Sequence, residues 1–426
     1  QTLASSASVL WDEASGEEKT AVELRALAFS PDEAVRKKAW LLEQELWKKI
    51  ETPMAFALNG VKGFSNSVNS RRSYKTTLER SVRQSRISET TLDSLVSVLD
   101  ESLPVFRRYL KLKARLLGKK KAAFYDLFAP VSSGEPEWSY SDAAGFIVEH
   151  FSGFSKELGT FAAAAFKNNW IDALPRKNKV GGAYCTGFHL SGVSRILCNF
   201  NNTFSGLSTM AHELGHAYHN SILKDAPEIY RDYPMTLAET ASIFSETIVR
   251  EGALKNAETN SRMLIIEQEL SSSTQTAVDI LSRFIFEKAV FERRGEGELT
   301  AADFCALMTD AQKQTYGDGL DENYLHPYMW AVKGHYYIQE LGYYNYPYAF
   351  GKLLGLGLYS LYKTEGKAFN ERYRKLLYLS GSASAEDVTL SAGFDIRSKD
   401  FWRSSINLIE EKVSLFEELV EGRDQD

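Results

Sequence analysis

Apolar positions recur at helical spacing through most of this chain. Ser30-Pro31-Asp32-Glu33 reads as a helix start, with a capping serine, a proline in the first turn and a glutamate three after the cap. Trp40, Leu41, Leu42, Leu46 and Trp47 then follow close to a 3.6-residue period. Ser88 opens a second helix with Leu92, Leu95, Val96 and Leu99 on one face. Pro104 begins a third that ends near Gly118. Thr300 to Asp303 and Ser384 to Asp387 are two further starts of the capping-box kind. One region breaks the habit. From Asn178 the chain reads "NKVGGAYCTGFHLSGVSRILCNFNNTFSG", punctuated by Gly181, Gly182, Gly187 and Gly192, with Ile196 to Phe200 read as a strand. The pattern therefore predicts a mainly α protein with one small sheet, placed directly before the next helix.

Composition adds exclusions. Of 426 residues, 44% are hydrophobic and 25% charged, which suits a large packed core. A net charge of −6 offers no field that would gather nucleic acid, so no nucleic-acid partner is expected. The run Lys119-Lys120-Lys121 reads as a solvated helix end. No apolar run reaches the ~18 residues a membrane span needs, so no membrane partner is expected. Cys185, Cys198 and Cys305 are too scattered for a disulfide framework and point to a reducing, cytoplasmic setting. The chain begins at Gln1 rather than Met, which suggests processing or a cut form.

The chemistry concentrates in "STMAHELGHAYHN", residues 208–220, which holds three of the seven histidines. His212 and His216 are four apart, so a helix sets both imidazoles on one face, about one turn apart, where they can close on one ion. Glu213 points to the side, placed to work on a water that the ion activates. Ser205 or Ser208 can cap the helix. Imidazole ligands suit zinc. His219 lies a further turn along, too far round a straight helix to complete a tetrahedral set, and reads as structural or as a support behind the ligands. The metzincin pattern fails, because position 222 is Ile.

A third ligand is expected downstream, in "TLAETASIFSETIVRE". Glu239 and Glu246 are seven apart, on one helix face. One carboxylate could ligate; the other could accept a hydrogen bond from a ligating ring. Apolar neighbours bury part of this helix, and an acid entering such an interior wants a cation. Farther on, eight tyrosines fall between Tyr324 and Tyr348 (the others are Tyr328, Tyr336, Tyr337, Tyr343, Tyr344 and Tyr346). They read either as an aromatic core layer or as hydroxyl donors facing a cleft, able to stabilise an oxyanion.

Together "HELGHAYH", "LAETASIFSE", "KGHYY" and "YYNYPYAFG" resemble the oligoendopeptidase F branch of the thimet oligopeptidase and neurolysin family. The likeness extends to "LPVFRRYLKLKARLLGKKKAAFYDLFAP" and "AGFDIRSKDFW" and covers most of the chain. It implies a helical, two-lobed zinc endopeptidase with a deep channel that admits oligopeptides. A helical lobe would span 1–150 and the catalytic region 151–426. By resemblance His212, His216 and Glu239 hold one Zn2+, Glu213 is the general base, and Glu246 is the outer carboxylate. His335 and Tyr348, or Tyr344 one turn earlier, would serve the substrate and its oxyanion. The strand Ile196 to Phe200 would pair with the substrate backbone. Family members carry a further helical segment ahead of this chain's first residue. Two other readings compete. One is a zinc peptidase of another class, such as an aminopeptidase, although no G-A-M-E-N anchor is present. The other is a non-catalytic helical peptide-binding protein, which would have no need of Glu213.

Overall fold

The computed structural model describes residues 2–132 and 137–423. Helices dominate, as the periodicity predicts. The helix Glu89–Glu101 is capped by Ser88 and buries Leu92, Leu95 and Leu99. Leu103–Leu116 carries Pro104 in its first turn. Ala301–Tyr316 has a full capping box between Thr300 and Asp303, and Ser384 caps Ala385–Ser391.

Two local expectations need correction. The 39-residue helix Glu33–Arg71 is capped by Asp32, whose side chain accepts from the Ala34 amide. Ser30 instead accepts from the Asp32 amide, one step outside. Aspartate caps as well as serine, and a start at Glu33 leaves Pro31 outside the helix. The Lys119 end is not simply solvated either. Its ammonium pairs with Asp126 and Glu33, each at 2.6 Å, and lies 4.7 Å from the Tyr125 ring centroid. Asp126 is wholly buried and also binds Arg36 at 2.9 Å, so this cluster joins the long helix to the loop after Leu116.

A small hairpin, Ser8–Asp12 with Glu17–Thr20, precedes the long helix. The sheet beside the histidines has three strands in the order Ile171–Asp172, Val193–Leu197, Tyr184–Phe188. The first pair is parallel and the second antiparallel, with Tyr184 opposite Leu197 and Phe188 opposite Val193. The predicted strand over Ile196 to Phe200 is thus shifted toward the N-terminus. It is also central: the amides of Ile196, Cys198 and Phe200 already donate to Trp170, Asp172 and Ala173. The edges of this sheet are the two-residue strand Ile171–Asp172 and the longer strand Tyr184–Phe188. Among the described residues, no helix is long and apolar enough to cross a membrane.

Candidate metal centre

The histidine helix runs Phe204–Leu223 and is capped by Thr203, whose hydroxyl accepts from the Gly206 amide; neither Ser205 nor Ser208 caps it. The start lies earlier than the serines because Phe204 and Leu207 are core residues that need the helix already formed. His212 and His216 fall one turn apart, with ring centroids 4.9 Å from one another. Between them, Gly215 lets the next helix approach. A Cβ there would lie 2.5 Å from the Ala241 carbonyl oxygen.

That partner, the glutamate helix, runs Thr240–Asn256. Glu239 and Glu246 do not share it as predicted. Glu239 sits at its N-cap position with φ −88° and ψ 4°, at the break after the short helix Met235–Ala238. The break lets the two carboxylates reach one imidazole from opposite sides. Glu239 Oε2 lies 3.3 Å from His212 Nε2 and 3.5 Å from His216 Nε2. Glu246 Oε2 lies 3.3 Å from His212 Nδ1.

The separations of Glu239 Oε2 from the two Nε2 atoms match a tetrahedral ion, whose ligand bonds of about 2.0–2.1 Å place ligand atoms about 3.3–3.4 Å apart. The donor chemistry fits as well. Nδ1 of His212 is held by Glu246, and the His216 ring is hydrogen-bonded to the Ala238 backbone, so both Nε2 atoms face inward. Among the described residues, His212, His216 and Glu239 form the one group whose ligand atoms converge this way, all within 4.8 Å. The electrostatics favour a central cation. Burial opposes charge on His212, yet Glu239 and Glu246 push its pKa up to about 10. Burial would raise Glu239, but the two histidines and Ser242 hold it down to about 2. A proton and a metal ion compete for such a site.

Around these lie groups of a second kind. Glu246 is buried, and burial would neutralise it. Arg250, His212 and Lys352 overcome this and hold its carboxyl well below the usual range. Arg250 pairs with Glu246 directly and reaches Glu269 at 3.6 Å. Glu213 behaves in the opposite way. Burial raises its carboxyl to about 7, and one oxygen, Oε2, is buried without a hydrogen-bond partner among the described residues. A carboxylate poised near neutrality beside a candidate metal centre is equipped to take and return a proton.

His219 stands apart from the ion site. It is wholly buried, stacks on Tyr233 at 4.2 Å between centroids, and its Nε2 contacts the Ser380 hydroxyl at 2.8 Å. The tyrosine cluster divides. Tyr336, Tyr343 and Tyr346 are core residues. Tyr343 adopts φ 58° and packs its ring on Phe284 and Phe291. That left-handed residue turns the chain so that Tyr344 faces His335, with centroids 5.4 Å apart. Tyr348 donates to Tyr344 at 2.9 Å. Tyr348 lies in the first turn of the helix Tyr346–Glu365, whose Gly351 lies against Glu239, so these rings neighbour the candidate metal site. Glu239 is one of the charges that raise the Tyr348 pKa, after burial and Tyr344.

A cavity of about 820 Å³ opens beside His212 and Glu246, bordered by Ser208, Thr209, Gln268, Ser271 and Gln275. Such a volume suits a peptide segment. Three features here have no counterpart in the sequence analysis: Gly351 under Glu239, Arg250 behind Glu246, and Asn345, whose Nδ2 lies 2.9 Å from His335 Nε2. Arg250 follows Glu246 by four, a helical ion-pair spacing that could have been noticed. The other two depend on long-range packing and leave no local signal.

Comparison with known proteins places this architecture. Residues 26–408 match the model of Peptidase family M3. The chain is 27% identical over 401 residues to an oligoendopeptidase F homolog of Lactococcus lactis, covering 93% of this chain and 66% of that protein. It is 28% identical over 395 residues to oligopeptidase PepF of Bacillus subtilis, covering 92% and 58%. The chain thus spans about three fifths of the length of the curated relatives it matches. The crystal structure of oligoendopeptidase-F from Enterococcus faecium superposes with a TM-score of 0.74 at 20% identity, covering 97% of this chain and 68% of that one. A match over nearly the whole chain, with the same helical fold in solved relatives, leads to one assignment: this chain belongs to Peptidase family M3.

Proposed function

We propose that this protein is a zinc-dependent endopeptidase that hydrolyses short to medium oligopeptides. One observation carries the reading. Two imidazole Nε2 atoms and one carboxylate oxygen face a common centre, and the buried Glu213 carboxylate beside them has an oxygen without a partner. His212, His216 and Glu239 would hold the ion. When bound, zinc supplies a Lewis acid that acidifies water and polarises a carbonyl.

The remaining work falls to the chain. Glu213 takes the proton from the attacking water and returns it to the departing amine nitrogen. Its elevated pKa suits both halves of that exchange. Glu246, kept ionised by Arg250, fixes the tautomer and angle of His212. His335 and the Tyr344–Tyr348 pair donate hydrogen bonds to the oxygen that gains charge. An extended peptide would add to the free edge of Tyr184–Phe188, rather than to the central strand, giving affinity through backbone bonds with little sequence demand. A cytoplasmic setting agrees with the three free cysteines.

The test is cleavage of an internally quenched nonapeptide. The chain should turn it over, lose activity with a chelator, and recover it with added zinc. Absence of any zinc-restored turnover would refute the reading for this chain.

A further inference from the structure

Asn345 occupies the N-cap position of the helix Tyr346–Glu365, yet its side chain makes no capping hydrogen bond. Asparagine is among the best capping residues, so an uncommitted one is unusual. The side chain is 2% exposed and spends its amide elsewhere. Nδ2 lies 2.9 Å from His335 Nε2, and Oδ1 lies 3.4 Å from Nη1 of Arg283.

These two contacts determine a proton position. A guanidinium only donates, so the amide oxygen must face Arg283 and the NH2 group must face His335. Arg283 cannot swing away freely, because it is paired with Asp279 one turn earlier. The NH2 group also only donates, so His335 Nε2 must accept and carries no hydrogen. The single proton of a neutral imidazole is then on Nδ1. A second proton is resisted: burial, then Arg283, Lys333 and Lys62, push the ring down to about 3. Nδ1 makes no hydrogen bond among the described residues, which leaves its proton available.

We infer that Asn345 is a positioning residue that locks His335 as the neutral Nδ1–H tautomer, with Arg283 setting the orientation of Asn345. His335 then acts on a peptide carbonyl as a fixed hydrogen-bond donor through Nδ1, and not as a proton shuttle. The catalytic consequence rests on the peptidase reading; the tautomer does not.

Asn345→Asp is the decisive variant. It keeps the shape and the Arg283 contact but offers His335 an acceptor, which draws the proton to Nε2. Imidazole 15N NMR, with the signal assigned through His335→Gln, should show Nδ1 protonated in the parent and Nε2 protonated in the variant. With zinc and the nonapeptide, kcat should fall about 10²- to 10³-fold, the usual loss for one oxyanion donor, with KM little changed. Asn345→Ala, which removes the clamp without imposing the wrong proton, should mix the two tautomers and lose less. A parent His335 protonated at Nε2, or a kcat that survives Asn345→Asp, overturns the inference. If Asn345→Asp fails to fold, the parent spectrum and Asn345→Ala still decide it. A parent that cleaves no peptide would sink the peptidase reading alone, since the spectrum answers independently.

Discussion

Tyr348 donates its phenolic hydrogen to the oxygen of Tyr344 across 2.9 Å, so in the proposed reaction the hydrogen free for a substrate is that of Tyr344. That donation polarises the Tyr344 hydroxyl and makes it the stronger donor of the two.

Tyr344→Phe should therefore lower kcat about 10²- to 10³-fold, the loss expected of a missing oxyanion donor. Tyr348→Phe should cost less, and the double variant should lose less than the two losses combined. Steady-state kinetics on the three variants check this. A silent Tyr344→Phe would move the donor role to Tyr348.

Glu213→Gln should keep its metal and lose about 10²- to 10⁴-fold in kcat, the usual contribution of general acid–base catalysis. Zinc content by elemental analysis and peptide turnover are read on the same sample. An active Gln variant would mean that another base takes the proton.

Glu239 and Glu246 should separate by metal affinity. Glu239→Ala removes a proposed ligand and should abolish stoichiometric zinc. Glu246→Gln keeps the shape but loosens the His212 ring, so affinity should weaken about 10- to 100-fold. Competition with a chromogenic chelator measures both, and normal zinc uptake by Glu239→Ala would reassign the third ligand.

Gly351→Ala tests the packing that aims Glu239. A Cβ there would lie 2.7 Å from Glu239 Cβ and 3.2 Å from its Cγ. The carboxylate must shift, so zinc affinity should drop at least ~10-fold, while overpacking costs about 1–3 kcal/mol. Unchanged zinc affinity would mean that the ligand is not held by this contact.

His219 predicts a pH dependence. Burial is the main cause that holds its pKa down to about 3. Between that value and about 6.5 the unfolded chain binds a proton that the folded chain does not. Stability from this residue is therefore complete above pH 6.5 and falls with acid at about 1.4 kcal/mol per pH unit. In urea unfolding of chelator-treated protein, the drop from pH 7 to pH 5 should be about 2 kcal/mol smaller for His219→Gln. Equal drops would show that His219 does not report this burial.

Much of the fold was legible because its determinants are local. Ser88, Thr300 and Ser384 cap the helices predicted of them, since a cap needs only a side chain and an amide two or three residues away. The same locality set His212 and His216 on one face and left His219 off it. Cap choice among close alternatives was less legible: Asp32 displaced Ser30 because aspartate caps equally well, and Thr203 displaced the two serines because Phe204 and Leu207 are core residues that need the helix already formed.

What the sequence determined by itself was the helical periodicity and the pair of histidines, both consequences of 3.6 residues per turn. The tertiary structure decided the rest. It broke the helix at Glu239 so that two glutamates could grip His212 from opposite sides. It made Val193–Leu197 a central strand, because strand order depends on a parallel partner more than twenty residues earlier. It also set the protons, on His212 through Glu246 and on His335 through Asn345. A tautomer depends on which donor or acceptor arrives at the second nitrogen, and residues distant in the chain supply it only once the helices have packed.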